Sequence, residues 1–308
     1  MAGDRECSVK KSESLSRSKR SPSTRDWTEA IQGLRLTYRL EDLLKFTGVA
    51  RSTFYYNLKK SKQPEPYLIE KERIKQIYDQ HKGRYGYRRI TLQLRNEGYL
   101  LNQKTVYKLM GELKLKAKIR IKKYRSYKGE IGRIAPNIIN REFYCDRPYE
   151  KLVTDVTEVK INGVKGYLSP IMDMYNGEII DYTFSRIPDL EMVLSMVKKV
   201  FSRIKIGQFT ILHSDQGCHY QNPRYRALLN KYGIIQSMTR KGNCLDNAMM
   251  ENFFGIMKAE LLYLQEFADM EHFKKELDRY IYYYNNSRIK LRLNGLSPVL
   301  FRTLNYKT

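Results

Sequence analysis

The stretch from His213 to Glu260 constrains this chain most. An apolar run, Thr210-Ile211-Leu212, ends in His213-Ser214-Asp215. That is the pattern of a buried strand delivering polar side chains at its carboxyl edge. After 35 intervening residues comes Glu251, beyond a Gly/Asn loop and on a segment with helical spacing. Met249, Phe253, Ile256 and Met257 form the expected apolar stripe of that helix. Glu251 lies off the stripe, and Lys258, two turns on, shares its side. A third acid, Asp155, sits inside the β-branched run Lys151–Val159, which reads as one strand. A single Asp after a strand is usually a structural cap. Three acids on two strands and a helix can instead converge, and they repel one another unless cations lie between them. Hard oxygen donors suit Mg²⁺. Two such ions can activate an attacking oxygen and stabilise a leaving one in phosphoryl transfer. Asp246 is read as the N-cap of the Glu251 helix. Glu158, three residues past Asp155, falls on the other strand face and is read as solvated or salt-bridged.

Several runs together carry a family resemblance: Thr154-Asp155-Val156-Thr157, His213-Ser214-Asp215-Gln216-Gly217, Ser237 through Asn247, Glu251-Asn252-Phe253-Phe254 with Lys258 and Glu260, and Tyr284-Asn285 with Arg288 through Ser297-Pro298. From roughly residue 40 to the end, the chain resembles the catalytic protein of bacterial insertion sequences whose transposase is encoded in two overlapping frames. These are DDE enzymes of the retroviral-integrase superfamily. The resemblance implies an α/β RNase H-like core, a mixed five-stranded sheet with flanking helices. It implies that Asp155, Asp215 and Glu251 are the catalytic residues and hold two Mg²⁺ ions, with Mn²⁺ able to serve. It implies that Lys258 contacts the element-end DNA, and that the first transfer joins one end to the other to give a circular intermediate. Joining two ends implies a homo-oligomer on DNA. His219 departs from the family, which more often has Gln there; a His can still donate a hydrogen bond.

Charge divides the chain. Its formal net charge of +24 calls for a polyanionic partner. Residues 1–133 hold 33 Lys and Arg against 14 Asp and Glu, whereas the remainder holds 24 against 19. A basic front on a nearly balanced back fits a DNA-binding region joined to a catalytic core. Residues 1–26 are polar and basic and are expected to be a disordered tail. Residues 27–63 read as a helix-turn-helix with Gly48 in the turn and Ser52 as a cap, presenting Arg51, Tyr55, Asn57 and Lys59 to DNA. Residues 67–120 read as a second such unit. Its turn interleaves Arg84, Arg88 and Arg89 with tyrosines, taken here as DNA contact in preference to packing, and Lys104 opens its last helix. Residues 121–147 form a basic linker, 148–265 the core, and 266–308 a helical extension with a Tyr stripe expected to pack. Arg240, Lys241 and Asn243 make a loop beside Glu251 that is expected to order on DNA.

No apolar run is long enough for a membrane span and residues 1–25 lack an apolar segment, so the chain is expected in the bacterial cytosol at the nucleoid. Cys7, Cys145, Cys218 and Cys244 do not pair at zinc-ligand spacing, and the four histidines supply no His/Cys zinc domain. Two rival readings need different residues. A DNA-binding regulator of the element would use the basic front and no triad, and an RNase H-like nuclease would use the triad with water alone as nucleophile.

Overall fold

The computed structural model describes residues 22–61, 66–118, 134–204, 209–240 and 244–306. The expectations for the first 21 residues, for most of the basic run after Lys118, and for Lys241 and Asn243 lie outside the described residues. The chain divides into two compact units, Met1–Ile69 and Glu70–Thr308.

The first unit holds α1 (Thr24–Leu34), α2 (Leu40–Thr47) and α3 (Arg51–Ser61). Helix α1 starts with a capping box in which Ser23 and Asp26 satisfy each other's backbone N–H groups. Ordered structure thus begins inside the stretch read as a tail. Helix α2 ends at Gly48, whose φ of 68° is the left-handed conformation that glycine adopts without strain. Ile31, Leu44, Val49 and Phe54 form the core. Two expectations are corrected. Ser52 lies within α3 and does not cap it. Asn57 donates to Thr28 Oγ1 at 3.2 Å and so ties α3 to α1 instead of facing a groove.

The second unit opens with α4 (Leu68–Gln80), α5 (Tyr87–Asn96) and α6 (Gln103–Glu112), the last capped by Asn102. Their core of Ile74, Ile77, Tyr85, Ile90, Leu94, Val106, Leu109 and Met110 also takes in Ile289 from far along the chain. Tyr85 donates to the Ser287 carbonyl and accepts from the Ile289 N–H, and Asn96 donates to the Gly295 carbonyl. The helical cluster and the C-terminal segment are therefore bonded together. Arg84 and Arg89 of the Tyr/Arg turn pack inward, contrary to the reading of them as DNA contacts, whereas Arg88 stays exposed.

The sheet explains how the first acid is placed. β1 (Lys151–Thr154) and β2 (Thr157–Ile161) lie in line along one edge of β3 (Val164–Asp173), and β4 (Ile179–Ser185) lies along the other. Thr154 faces Ile171 and Thr157 faces Leu168, so the register runs through unbroken and the expected five-stranded order holds, with its first strand split. The single strand expected over Lys151–Val159 is interrupted at Asp155 and Val156, and Pro170 accounts for the break. Its carbonyl faces this edge, because Thr154 Oγ1 donates to it at 2.9 Å. The proline nitrogen faces the same edge and has no hydrogen to give Asp155. The β2–β3 turn is Asn162-Gly163, both with positive φ as the tight hairpin requires. β5 (Ile211–Ser214) pairs parallel with β1, and β6 (Ile235–Met238) pairs parallel with β5.

Helices cover both faces. α7 (Leu190–Phe201) and α8 (Pro223–Lys231) pack on the face that carries Leu152, Ile171 and Leu212. α9 (Ala248–Met257) and α10 (Met270–Asn286) pack on the face that carries Val153, Val159 and Met172. The buried stripe of α9 is Met250, Phe253, Phe254 and Met257; Met249 and Ile256, expected in it, are only partly buried. Tyr280 and Tyr284 are buried in this same core, so residues 266–308 complete it and do not extend from it. α11 (Pro298–Asn305) starts from the Ser297 cap with proline in its first turn, as expected.

Beyond α9 the chain widens to one π turn, Lys258–Leu262, which carries Glu260 inward. Arg288 grips its carboxylate twice, at 2.9 and 2.7 Å, and Tyr280 donates to it at 3.1 Å. Burial would raise the Glu260 carboxyl, but the Arg288 hydrogen bonds and charge hold it below its ordinary value. Breaking one side of a buried pair strands the other charge. Glu260→Gln is expected to cost about 3–5 kcal/mol of unfolding free energy in urea titrations, whereas Glu158→Gln, whose partner Lys165 is exposed, should cost less than about 1 kcal/mol. His81 is buried, stacked on Tyr85 with ring centroids 3.8 Å apart. Burial, then the charges of Arg84 and Arg89, push its pKa down to about 4. The folded state thus favours neutral His81, and that stability is complete above the unfolded value near 6.5 and lost as pH falls towards 4. His81→Gln should flatten the stability profile over this window by up to about 3 kcal/mol, read from urea midpoints against pH.

Candidate active site

β1 and β5 run side by side, with Val153 opposite His213. Two residues further on, Asp155 and Asp215 leave the two strands together at their carboxyl ends. Side chains alternate along a strand. Val153 and Ile211 face the α9 side, so Asp155 and Asp215 face it too. Glu251 stands in the first turn of α9 over this face. Asp155 accepts from the Val156 N–H at 2.7 Å and Asp215 from the Gly217 N–H at 2.9 Å. A Cβ at Gly217 would meet Asp215 Oδ1 at 2.9 Å, so this turn closes on the carboxylate only with glycine.

Electrostatics show how tightly the acids are grouped. Burial, then the negative charges of Asp215 and Glu251, hold the Asp155 carboxyl well above the usual range; the Val156 N–H and Lys258 oppose them. Burial also raises Asp215, against the Gly217 N–H and His219. The fully buried Tyr220 phenol is raised by burial and by both aspartates, which places it behind them. Among the described residues, no three His, Cys, Asp or Glu side chains already stand where they could hold one metal ion.

The neighbouring residues hold surprises that the sequence concealed. Asp246 is not a helix cap. Its side chain is 1 % exposed, and it accepts from the Arg240 N–H and guanidinium, from Arg141 Nε at 3.0 Å and from Asn137 Nδ2 at 2.8 Å. It pins residues 134–141, expected within a linker, to the loop before α9. Arg240, expected to face DNA, is thereby engaged. Asn247, one turn before Glu251, is buried with neither side-chain polar atom paired among the described residues. Nothing in its sequence setting distinguished it from a loop asparagine. His213 donates to or accepts from Ser237 Oγ at 2.8 Å behind Asp215.

The other expected DNA contacts separate. Arg84 donates to the Glu260 carbonyl at 3.1 Å and packs on Tyr283, and Arg89 lies 3.6 Å from the Glu260 carboxylate. Both point inward. Arg88 and Lys104 are exposed on α5 and α6. In the first unit Arg51 and Tyr55 are exposed, with Arg51 loosely paired to Glu41 at 3.7 Å.

A split first strand, three antiparallel and two parallel neighbours, and two aspartates at adjacent strand ends define an RNase H-like polynucleotidyl transferase core. Residues 146–244 and 251–305 match integrase core domain models, and residues 68–123 match an HTH-like domain. A protein of Escherichia coli (strain K12) named for the transposase of insertion sequence element IS150 is 48% identical over 278 residues, which is 90% of this chain and 98% of that one. A transposase-like protein of Haemophilus influenzae is 47% identical over 70% of this chain and 98% of its own length. The transposase for element IS904 of Lactococcus lactis is 34% identical over 80% and 98%. The chain belongs to the insertion-sequence transposases with an integrase core. Among the described residues, no helix is long and apolar enough to cross a membrane.

The Asp246 clamp is testable apart from chemistry. Asp246→Asn keeps the shape but removes the charge that holds Arg240 and Arg141. It should lower stability by about 2–3 kcal/mol in urea unfolding and speed proteolysis between residues 238 and 248.

Proposed function

We propose that this transposase binds the terminal repeats of its element and carries out 3′-end cleavage and strand transfer at Asp155, Asp215 and Glu251. The observation that carries the reading is the placement of Asp155 and Asp215 just past adjacent strand ends, beneath the helix turn that carries Glu251. The donor set fits two Mg²⁺ ions: three carboxylates with hard oxygen donors, no thiolate, and negative charge that Lys258 only partly offsets. Mn²⁺ fits the same donors. Bound there, the ions supply Lewis acidity to the attacking and leaving oxygens of an in-line displacement.

The protein's own part is positional. Asp155 and Asp215 are set at a fixed distance by strand register, and each has one carboxylate oxygen oriented by a backbone N–H. Glu251 comes from a helix whose entry loop is clamped by Asp246, and it would be the third carboxylate to hold the cations. Lys258 balances charge and lies where an end-DNA phosphate would pass. Exposed Arg88, Lys104, Arg51 and Tyr55 supply backbone contacts, and Lys241 and Asn243 belong to the loop that orders on DNA. Joining two ends calls for more than one copy on the DNA, in the bacterial cytosol at the nucleoid.

The test is strand transfer on a labelled duplex with the element's terminal sequence. Glu251→Gln, Asp155→Asn and Asp215→Asn should each lose joined product by at least about 10³-fold while duplex binding by gel shift persists, and chelation should do the same to the native chain. Joining that survives chelation would sink the proposal. Cutting without joining would favour a nuclease, and binding without either would favour a regulator.

A further inference from the structure

A second charged site lies on the opposite side of α9. Met249, Asn252, Phe253 and Ile256 form one wall of a cavity of about 330 Å³. They face away from Glu251, which lies roughly half a turn round the helix. The opposite wall brings together Arg89, Arg288, Lys290 and Arg292.

Their partners do not balance them. Glu260 is taken up by Arg288 and Arg89. Glu178 is gripped by Arg302 at 2.8 and 3.1 Å, and the buried Asp173, whose charge acts on Arg292, accepts from the Tyr149 and Tyr175 N–H groups and makes no bond to these cations. Lys290 donates to the Gly177 carbonyl and to Tyr284 Oη, both at 2.9 Å, and its ammonium sits 4.4 Å from the centre of the Tyr284 ring. An ammonium has three N–H donors, so one is left without a protein acceptor among the described residues. Arg292, exposed at the rim, makes no hydrogen bond or ion pair with a described residue. A side chain at Gly177 would collide with the Lys290 ammonium and come within 2.8 Å of Arg292 Nη2. Gly177 has a φ of 73°, which suits glycine in any case, and both cations reach the space beside it.

Like charges held this close in a cavity are stabilised when an anion sits between them. A guanidinium fork beside an ammonium matches the oxygens of a tetrahedral phosphate. The geometry points to a phosphate-binding site formed by Lys290 and Arg292 over Gly177. Its occupant is a phosphate group, either of a DNA backbone or free in solution. This site does not rest on the transfer chemistry proposed above.

The experiment follows thermal unfolding of the full chain, without divalent cations, in inorganic phosphate against chloride at matched ionic strength. The native chain is compared with Arg292→Gln, with Lys290→Met, which keeps the apolar stem, and with Arg95→Gln as an exposed control. Phosphate should raise the midpoint of the native chain and of Arg95→Gln. Its affinity should fall about tenfold or more in Arg292→Gln and Lys290→Met. An equal phosphate response in all four chains, or none in the native chain, overturns the site. Duplex DNA then separates the sources. If a backbone phosphate fills the cavity, saturating duplex abolishes the phosphate response, and Arg292→Gln lowers the salt slope of duplex binding by about one. If a free phosphate fills it, the response persists on DNA and the slope is unchanged.

Discussion

The buried pair of Glu260 and Arg288 is the contact on which most of this molecule depends. Its two charges come from the π turn after α9 and from the end of α10, and neither can be left alone without water. Arg84 and Arg89 reach the same glutamate from the α4–α5 turn and the start of α5. One carboxylate therefore fixes the second helix-turn-helix, the C-terminal segment and the end of the helix that carries Glu251. Apolar packing alone could let these elements slide. A charge pair joined by two nitrogen-to-oxygen hydrogen bonds cannot slide without stranding a charge.

The sheet imposes a complementary constraint. Strand register places Asp155 and Asp215 side by side, and register in a two-faced sheet cannot slip by one residue without turning every apolar side chain outward. Pro170 then withholds a ladder hydrogen bond just where Asp155 stands. The strand opens, and the carboxylate takes the Val156 N–H instead. The cost of grouping acids appears as raised carboxyl pKa values, from burial at both aspartates and, at Asp155, from the charges of Asp215 and Glu251 as well. The fold bears this cost because its ladder continues unbroken on both sides of the gap.

Much of this was legible in the sequence. The start of the last helix was legible from Ser297-Pro298, which caps it, whereas the caps read at Ser52 and Asp246 were not borne out. The acids showed themselves because each ends or interrupts an apolar pattern. The misread residues share a physical reason. Arg84, Arg89, Arg240 and Asp246 find their partners across long sequence separations or through a loop closure, and a side chain's type does not reveal whether its partner is a phosphate or a backbone carbonyl 176 residues away. The split of the first strand was hidden likewise, because its cause lies in the facing strand. The Asn162-Gly163 hairpin was readable from its dipeptide, yet the longer β-branched run around it masked the turn.

Helix α9 gives the arrangement its consequence. One side presents Glu251 to a cluster of negative charge, and the other walls a cavity of positive charge. Its first turn is preceded by the Asp246 clamp and its last turn runs into the Glu260 pair, so it is anchored by charge at both ends. A helix held in this way transmits displacement along its length instead of absorbing it. The unpaired Asn247 side chain, buried at its entry, marks the end whose polar groups are left unsatisfied. Such a group costs free energy until something binds it.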